Sequence, residues 1–321
     1  MDPLIILFGL GVGVLIGMTG IGGGSLMTPL LILVFGTKPV VAIGTDLAYG
    51  AITKTLGGWR HLRKGTVDFG LAAWMALGSC PGAVLGVLAI EWIERNYGDA
   101  FENTMLVSLG IALFLVGGSV LFRALFLQRL IAKERDEVPM TARNKLAATS
   151  IGLVLGTILG LTSVGSGALI GLALILVFKL TPQRVVGTDV FHAAGLLWVA
   201  ALTHLFFGNV DFGLMANILI GSLPGVWLGT NLMAHIPTAG LRIGLGVVLF
   251  ASAFGILQKA GASYGLAVTI GVPVALGLAS WVIYRARMAR IAADAAAAAA
   301  EAAALPASDP RSPIVSETTA P

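Results

Sequence analysis

The chain has 321 residues, of which 57% are hydrophobic and only 11% charged, with a mean hydropathy of +0.93. Soluble domains carry about 25% charged residues, so an ordinary soluble enzyme, a disordered chain, a collagen and a coiled coil are excluded as descriptions of the whole. The net charge of +4 sits in a few loops, where it reports topology rather than a nucleic-acid partner.

A bilayer core takes about 20 apolar residues per helix. Residues 4–35 are apolar but interrupted by Gly20-Ile21-Gly22-Gly23-Gly24-Ser25. Spanning helices are predicted over 39–58, 67–90 and 104–122, followed by a basic segment, 123–145. Residues 146–180 are again apolar and interrupted, by Thr162-Ser163-Val164-Gly165-Ser166-Gly167. Further spans are predicted over 185–207, 210–233, 241–258 and 264–284. Glycine costs about 1 kcal/mol in a helix interior, so each glycine cluster splits its segment into two half-length helices. After Arg285, Arg287 and Arg290 an alanine-rich stretch extends the last helix, and the end from Pro306 is expected to be disordered. The first twenty residues lack the positive n-region of a signal peptide and read as part of the mature membrane domain.

The strongest organisational signal is an internal repeat. Residues 18–86 align with 161–229 at a constant offset of 143, without a gap and with about 29 of 69 positions identical. Gly44-Thr45-Asp46 falls on Gly187-Thr188-Asp189, and Val67-Asp68-Phe69-Gly70-Leu71 on Val210-Asp211-Phe212-Gly213-Leu214. Equivalent loops differ in charge. Arg60-His61-Leu62-Arg63-Lys64 is basic, whereas Thr203-His204-Leu205-Phe206-Phe207 has no fixed charge. Lysine and arginine favour cytoplasmic loops, so this asymmetry is what opposite orientation of the two halves produces. All three basic loops become cytoplasmic if each broken segment is a hairpin that enters and leaves on one side.

The expected fold is therefore an all-α polytopic membrane protein with two inverted repeats. Each is a glycine-broken hairpin plus three transmembrane helices, and one extra C-terminal helix follows. The divisions are 1–122, first repeat; 123–145, cytoplasmic loop; 146–258, second repeat; 259–290, extra helix; and 291–321, tail. The expected location is the cell inner membrane, with the N-terminus outside and the C-terminus cytoplasmic.

Gly20-Ile21-Gly22-Gly23-Gly24-Ser25, Gly44-Thr45-Asp46 and Gly78-Ser79-Cys80-Pro81-Gly82-Ala83 resemble motifs of the sulfite exporter TauE/SafE family, a bacterial group of anion permeases. Gly187-Thr188-Asp189 and Gly221-Ser222-Leu223-Pro224-Gly225 carry the resemblance in the second half, and together it spans residues 4–258. It implies transport of sulfite, a sulfonate or a related sulfur-containing or organic anion. The second glycine motif departs from the first, with Ser163 and Ser166 where the first has Gly20 and Gly23.

Discontinuous helices in inverted repeats place substrate sites where the breaks meet, and a half-helix N-terminus offers free N–H groups to an anion. The candidate binding residues are Thr19, Gly22, Gly23, Gly24 and Ser25 in the first break and Thr162, Gly165, Ser166 and Gly167 in the second. The competing reading is tight helix crossing, for which glycine is equally suited. Asp46 and Asp189 lie inside apolar segments, where a charge costs at least about 2.5–3.5 kcal/mol. They read either as coupling or gating carboxylates, together with Thr45 and Thr188, or as caps of a helix start. Lys54 is either a counter-charge or a side chain snorkelling to the interface. His192, one turn beyond Asp189, is a further candidate for that cavity. Asp68 and Asp211 read as helix N-terminal carboxylates.

The single cysteine, Cys80, makes no internal disulfide, and the histidines His61, His192, His204 and His235 have no metal-ligand spacing; no cofactor or metal is expected. The expected partners are a small anion, protons as coupling ion and the lipid bilayer, and the oligomeric state stays open, a homo-oligomer included. Two other readings compete with a secondary transporter: a channel or non-transporting membrane factor, and an intramembrane aspartyl enzyme. The last needs glycine directly before each aspartate, where this chain has Thr45 and Thr188, so no enzyme is expected.

Overall fold

The computed structural model describes residues 2–19, 23–98, 101–130, 134–232 and 238–304. Gly20, Ile21, Gly22, His235 and the tail from Pro306 lie outside the described residues. The described residues form α-helices and no strands. In chain order the helices are α1 (Pro3–Thr19), α2 (Gly24–Val34), α3 (Pro39–Arg63), α4 (Phe69–Tyr97), α5 (Phe101–Leu130), α6 (Ala142–Thr162), α7 (Leu169–Leu176), α8 (Pro182–Phe206), α9 (Phe212–Leu232), α10 (Thr238–Lys259) and α11 (Leu266–Ala304).

Seven of these, α4, α5, α6, α8, α9, α10 and α11, are long and apolar enough to cross a membrane. The helix α3 has 25 residues, a spanning length, but is interrupted by Asp46 and Lys54 and ends in Arg60, His61 and Arg63. In both halves two separate helices stand where one interrupted apolar segment was expected. In the first half, 17-residue α1 precedes 11-residue α2; in the second, 21-residue α6 precedes 8-residue α7. At the second break Ser163 takes a left-handed conformation (φ 60°) and Gly165 has φ 125°, so the chain leaves the helix at once.

Sequence explains the helix starts. Pro39 and Pro182 stand in the first turns of α3 and α8, where a missing N–H costs nothing. Asp68 accepts from the backbone N–H of Leu71 at 3.0 Å and Asp211 from that of Leu214 at 2.9 Å, so both carboxylates cap their helices as the sequence reading has it.

The two halves are interleaved, and glycine makes this possible. In α4, Gly78, Gly82 and Gly86 lie against the backbone of α6 at Thr149, Leu153 and Thr157; in α9, Gly221, Gly225 and Gly229 lie against α1 at Ile6, Leu10 and Val14. A Cβ at any of these six glycines would overlap a backbone carbonyl of the partner helix. Every contact is repeated at the 143-residue offset with the halves exchanged, the pattern a two-fold axis generates. The same exchange joins the helix caps. The N–H of Asp68 donates to Thr188 Oγ1 at 2.9 Å, and that of Asp211 to Thr45 Oγ1 at 3.0 Å.

The register of the contacts also gives helix direction. Gly50 faces Leu197 and Gly57 faces Val190, so the equivalent helices α3 and α8 pack antiparallel. Gly110 faces Leu257, Gly117 faces Phe250 and Gly246 faces Leu121, so the equivalent helices α5 and α10 are antiparallel too. Along α1 and α9 the paired numbers rise together (Gly9 with Ile218, Gly13 with Ser222, Gly17 with Val226), so these two are parallel.

Residues up to Ser280 form one compact unit and those from Trp281 a second. The second is the distal part of α11, where the Arg285 guanidinium sits over the Trp281 ring at 5.6 Å.

Candidate functional site

One face of α3 carries Asp46, Tyr49, Gly50, Thr53, Lys54 and Gly57, at the three- and four-residue spacing that aligns side chains on a helix. With Gly23, Gly24, Ser163, Ser166, Val190 and Leu197 these residues line a cavity of about 250 Å³. Both breaks therefore reach it, the first through Gly23 and Gly24 at the start of α2 and the second through Ser163 and Ser166. A Cβ on Gly24 would meet the Ser163 backbone and the Asp46 carboxylate, so glycine is required there for the breaks to meet.

The polar groups in the cavity are unequally satisfied. Asp46 Oδ2 accepts hydrogen bonds from the Ser163 hydroxyl at 2.5 Å and the Thr28 hydroxyl at 2.8 Å. Its second oxygen, Oδ1, is buried without a hydrogen-bond partner. The ammonium of Lys54 is also buried without one. Leaving a buried polar atom unpaired costs about 1–3 kcal/mol, more when it is charged. Lys54 and Asp46 thus hold open bonding capacity facing a largely apolar space.

The second half has diverged. Asp189 Oδ1 accepts from the Gly167 N–H at 3.3 Å, and the Gly167 carbonyl accepts from Arg123 Nη1 at 3.2 Å. The positions equivalent to Thr28 and Lys54 are Gly171 and Leu197. Asp189 lies in an adjoining cavity with Thr19, His61, Arg123, Gly167, Thr230 and Arg242.

The remaining candidate residues fall elsewhere. Ser25 is buried in the first turn of α2, outside both cavities. The Thr162 hydroxyl donates to the Ile158 carbonyl at 2.6 Å, and Gly165 shapes the turn. Thr45 and Thr188 accept the backbone N–H groups described above, each at a helix start in the opposite half. His192 hydrogen-bonds Ser79 at 2.8 Å beside a separate apolar cavity, not in the Lys54 cavity. Tyr49 and Thr53 escaped the sequence reading, although their spacing from Asp46 and Lys54 places them on the same helix face. Arg123 and Arg242 escaped it because each stands at the end of an apolar segment, the ordinary place for an interfacial charge. Among the described residues no cluster of histidine, cysteine and carboxylate could hold a metal ion.

A protein whose described residues are helical, with seven helices both long and apolar enough to cross a membrane and a charge-lined cavity between its two interleaved halves, is a multi-pass membrane protein of the transporter class. Comparison with known proteins makes this specific. The sulfite exporter TauE/SafE family matches residues 5–256, and the chain belongs to that family. It is 41% identical over 253 residues to the probable membrane transporter protein YjnA of Bacillus subtilis, covering 78% of this chain and 98% of that one. It is 24% identical over 263 residues to the probable membrane transporter protein MJ0441 of Methanocaldococcus jannaschii, covering 77% and 92%. A plant relative, sulfite exporter TauE/SafE family protein 1 of Arabidopsis thaliana, is 31% identical over 101 residues, covering 32% and 22%. No solved structure matches the chain.

Proposed function

We propose that the protein is a secondary transporter of a small anion of the sulfite or sulfonate class, working by alternating access in the cell inner membrane. The observation that carries this reading is the Lys54 ammonium, buried without a hydrogen-bond partner in a cavity of about 250 Å³. An oxyanion supplies what that group lacks, and the N–H groups at the start of α2 with the hydroxyls of Tyr49 and Ser166 supply further donors. The unpartnered Asp46 Oδ1 is where a proton neutralises the carboxylate as the anion enters, which makes the proton the coupling ion.

Alternating access requires two halves of opposite orientation. The antiparallel packing of the equivalent pairs α3/α8 and α5/α10 supports it, as does the charge difference between the Arg60–Lys64 and Thr203–Phe207 loops. The N-terminus then lies outside and the C-terminus in the cytoplasm.

The test is flux. Purified protein in proteoliposomes should take up labelled sulfite saturably, turn over and respond to an imposed proton gradient. Flux that never saturates would indicate a channel. No flux of sulfite, sulfonates or carboxylates at any pH from 5 to 8 would end the transporter reading.

A further inference from the structure

We propose that the cavity holding Arg123 and Arg242 is a second anion site, an antechamber from which the anion passes to Lys54. The inference rests on the anion-transport reading and adds a binding step to it. This cavity, about 450 Å³, is lined by residues of α1, α3, α5, α8, α9 and α10 and shares Val190 and Thr230 with the Lys54 cavity, so the two spaces adjoin.

Its charge is unbalanced. Arg123 on α5 and Arg242 on α10 repel each other, and Asp189 is the one carboxylate lining the cavity with them. Neither arginine forms an ion pair among the described residues. Arg123 spends one N–H on the Gly167 carbonyl, while its Nε is buried without a partner. Two guanidinium groups facing one space, with a single carboxylate also lining it, leave a net positive charge and several unused donors in fork geometry. A tetrahedral or pyramidal oxyanion matches that set, because a guanidinium binds two oxygens at once.

The cavity's position gives the site its place in transport. His61 lies in the last turn of α3, Thr230 near the end of α9, and Arg242 in the first turns of α10. These helix ends meet beside the basic Arg60–Lys64 loop, the cytoplasmic side in the proposed topology. An anion drawn from the cytoplasm meets the arginines first and Lys54 second, with Asp189 at the boundary.

A phosphate of an anionic lipid headgroup shares this chemistry, so the experiment separates the two sources. Full-length protein in nanodiscs of purely zwitterionic lipid is titrated calorimetrically with sulfite and with sulfate. Wild type should bind at two sites. Arg242→Gln should keep the site that Lys54→Met removes, Lys54→Met should keep the site that Arg242→Gln removes, and Arg242→Lys should partly restore the second. In proteoliposomes Arg242→Gln should raise KM on the cytoplasmic side about tenfold, the scale of one charge-assisted bond, with kcat retained. Arg242 is chosen over Arg123, whose loss would also release Gly167. Wild-type stoichiometry in Arg242→Gln overturns the antechamber while leaving the Lys54 site standing. So does an Arg242→Gln effect that appears only when phosphatidylglycerol is added. Absence of anion binding and flux in wild type overturns both readings.

Discussion

The Ser163 hydroxyl donates to Oδ2 of Asp46 at 2.5 Å, joining the helix break of the second half to the buried carboxylate of the first. The position equivalent to Ser163 is Gly20, so duplication alone did not create the bond. Ser163 holds its left-handed backbone at a cost of about 1–2 kcal/mol for an L-residue, while a hydrogen bond to a charged group contributes about 1.5–3 kcal/mol. Ser163→Gly relieves the first and loses the second. The bond should win by a small margin, so the variant should melt below wild type in detergent, by a few degrees. An unchanged or raised Tm would mean that backbone strain dominates at this corner.

Lys54→Met tests the centre of the site. Truncating one partner of a buried, hydrogen-bonded charge pair costs about 2–5 kcal/mol of binding, and 1.4 kcal/mol is a factor of ten in affinity. Sulfite flux at subsaturating concentration should fall about a hundredfold. The double variant Lys54→Met/Asp46→Asn removes one charge of each sign and should melt closer to wild type than Lys54→Met alone, while remaining inactive. Recovery of flux in the double variant would show that Lys54 only balances Asp46.

The two equivalent aspartates should behave differently, because their surroundings have diverged. Asp46 has hydroxyl donors on one oxygen and an open second oxygen. Asp189 holds the Gly167 N–H and lies between Lys54 and Arg123. Asp46→Asn should abolish the response of flux to a proton gradient and preserve exchange of labelled for unlabelled anion. Asp189→Asn should weaken exchange itself, since it keeps an acceptor for the Gly167 N–H but leaves Lys54 and Arg123 short of a counter-charge. Identical phenotypes would argue for a shared structural role.

Much of this was legible in the sequence, and the rest was hidden for definable reasons. The breaks, the repeat and the pair Asp46 and Asp189 stand out because glycine clusters and charges are rare in apolar segments. Lys54 could be singled out but not assigned, since six residues from Arg60 it was within reach of the interface. The link from Thr45 to the Asp211 N–H was out of reach, because a cap is ordinarily sought within a few residues and this one crosses 166 positions. Arg123 and Arg242 become a pair only once α5 and α10 are known to be antiparallel, with Leu121 against Gly246. The repeat alone does not say which equivalent helices touch.

Glycine substitutions should separate packing from composition. A Cβ on Gly82 would overlap the backbone carbonyl of Leu153, whereas one on Gly195, in α8, meets nothing within 4 Å. Gly195→Ala should raise stability by about 0.5–1 kcal/mol through helix propensity. Gly82→Ala gains the same propensity but must push α4 from α6, at a cost of about 1–3 kcal/mol for overpacking, so it should lower the melting temperature. If both variants were equally stable, backbone contact between α4 and α6 would not be what holds the halves together.

Arg63 and Phe206 are repeat-equivalent, both exposed, and each ends its helix. Because α3 and α8 run antiparallel with Gly57 against Val190, the end of α3 lies beside the start of α8. Each helix has 25 residues, about 37 Å at 1.5 Å per residue, and a bilayer core is about 30 Å thick. The two positions should therefore face opposite aqueous compartments. In a Cys80→Ser background, Arg63→Cys should react with a membrane-impermeant maleimide only in inside-out vesicles, and Phe206→Cys only in right-side-out ones. Labelling of both from one side would mean that the helices do not cross the bilayer as a pair, and alternating access built on inverted halves would lose its basis.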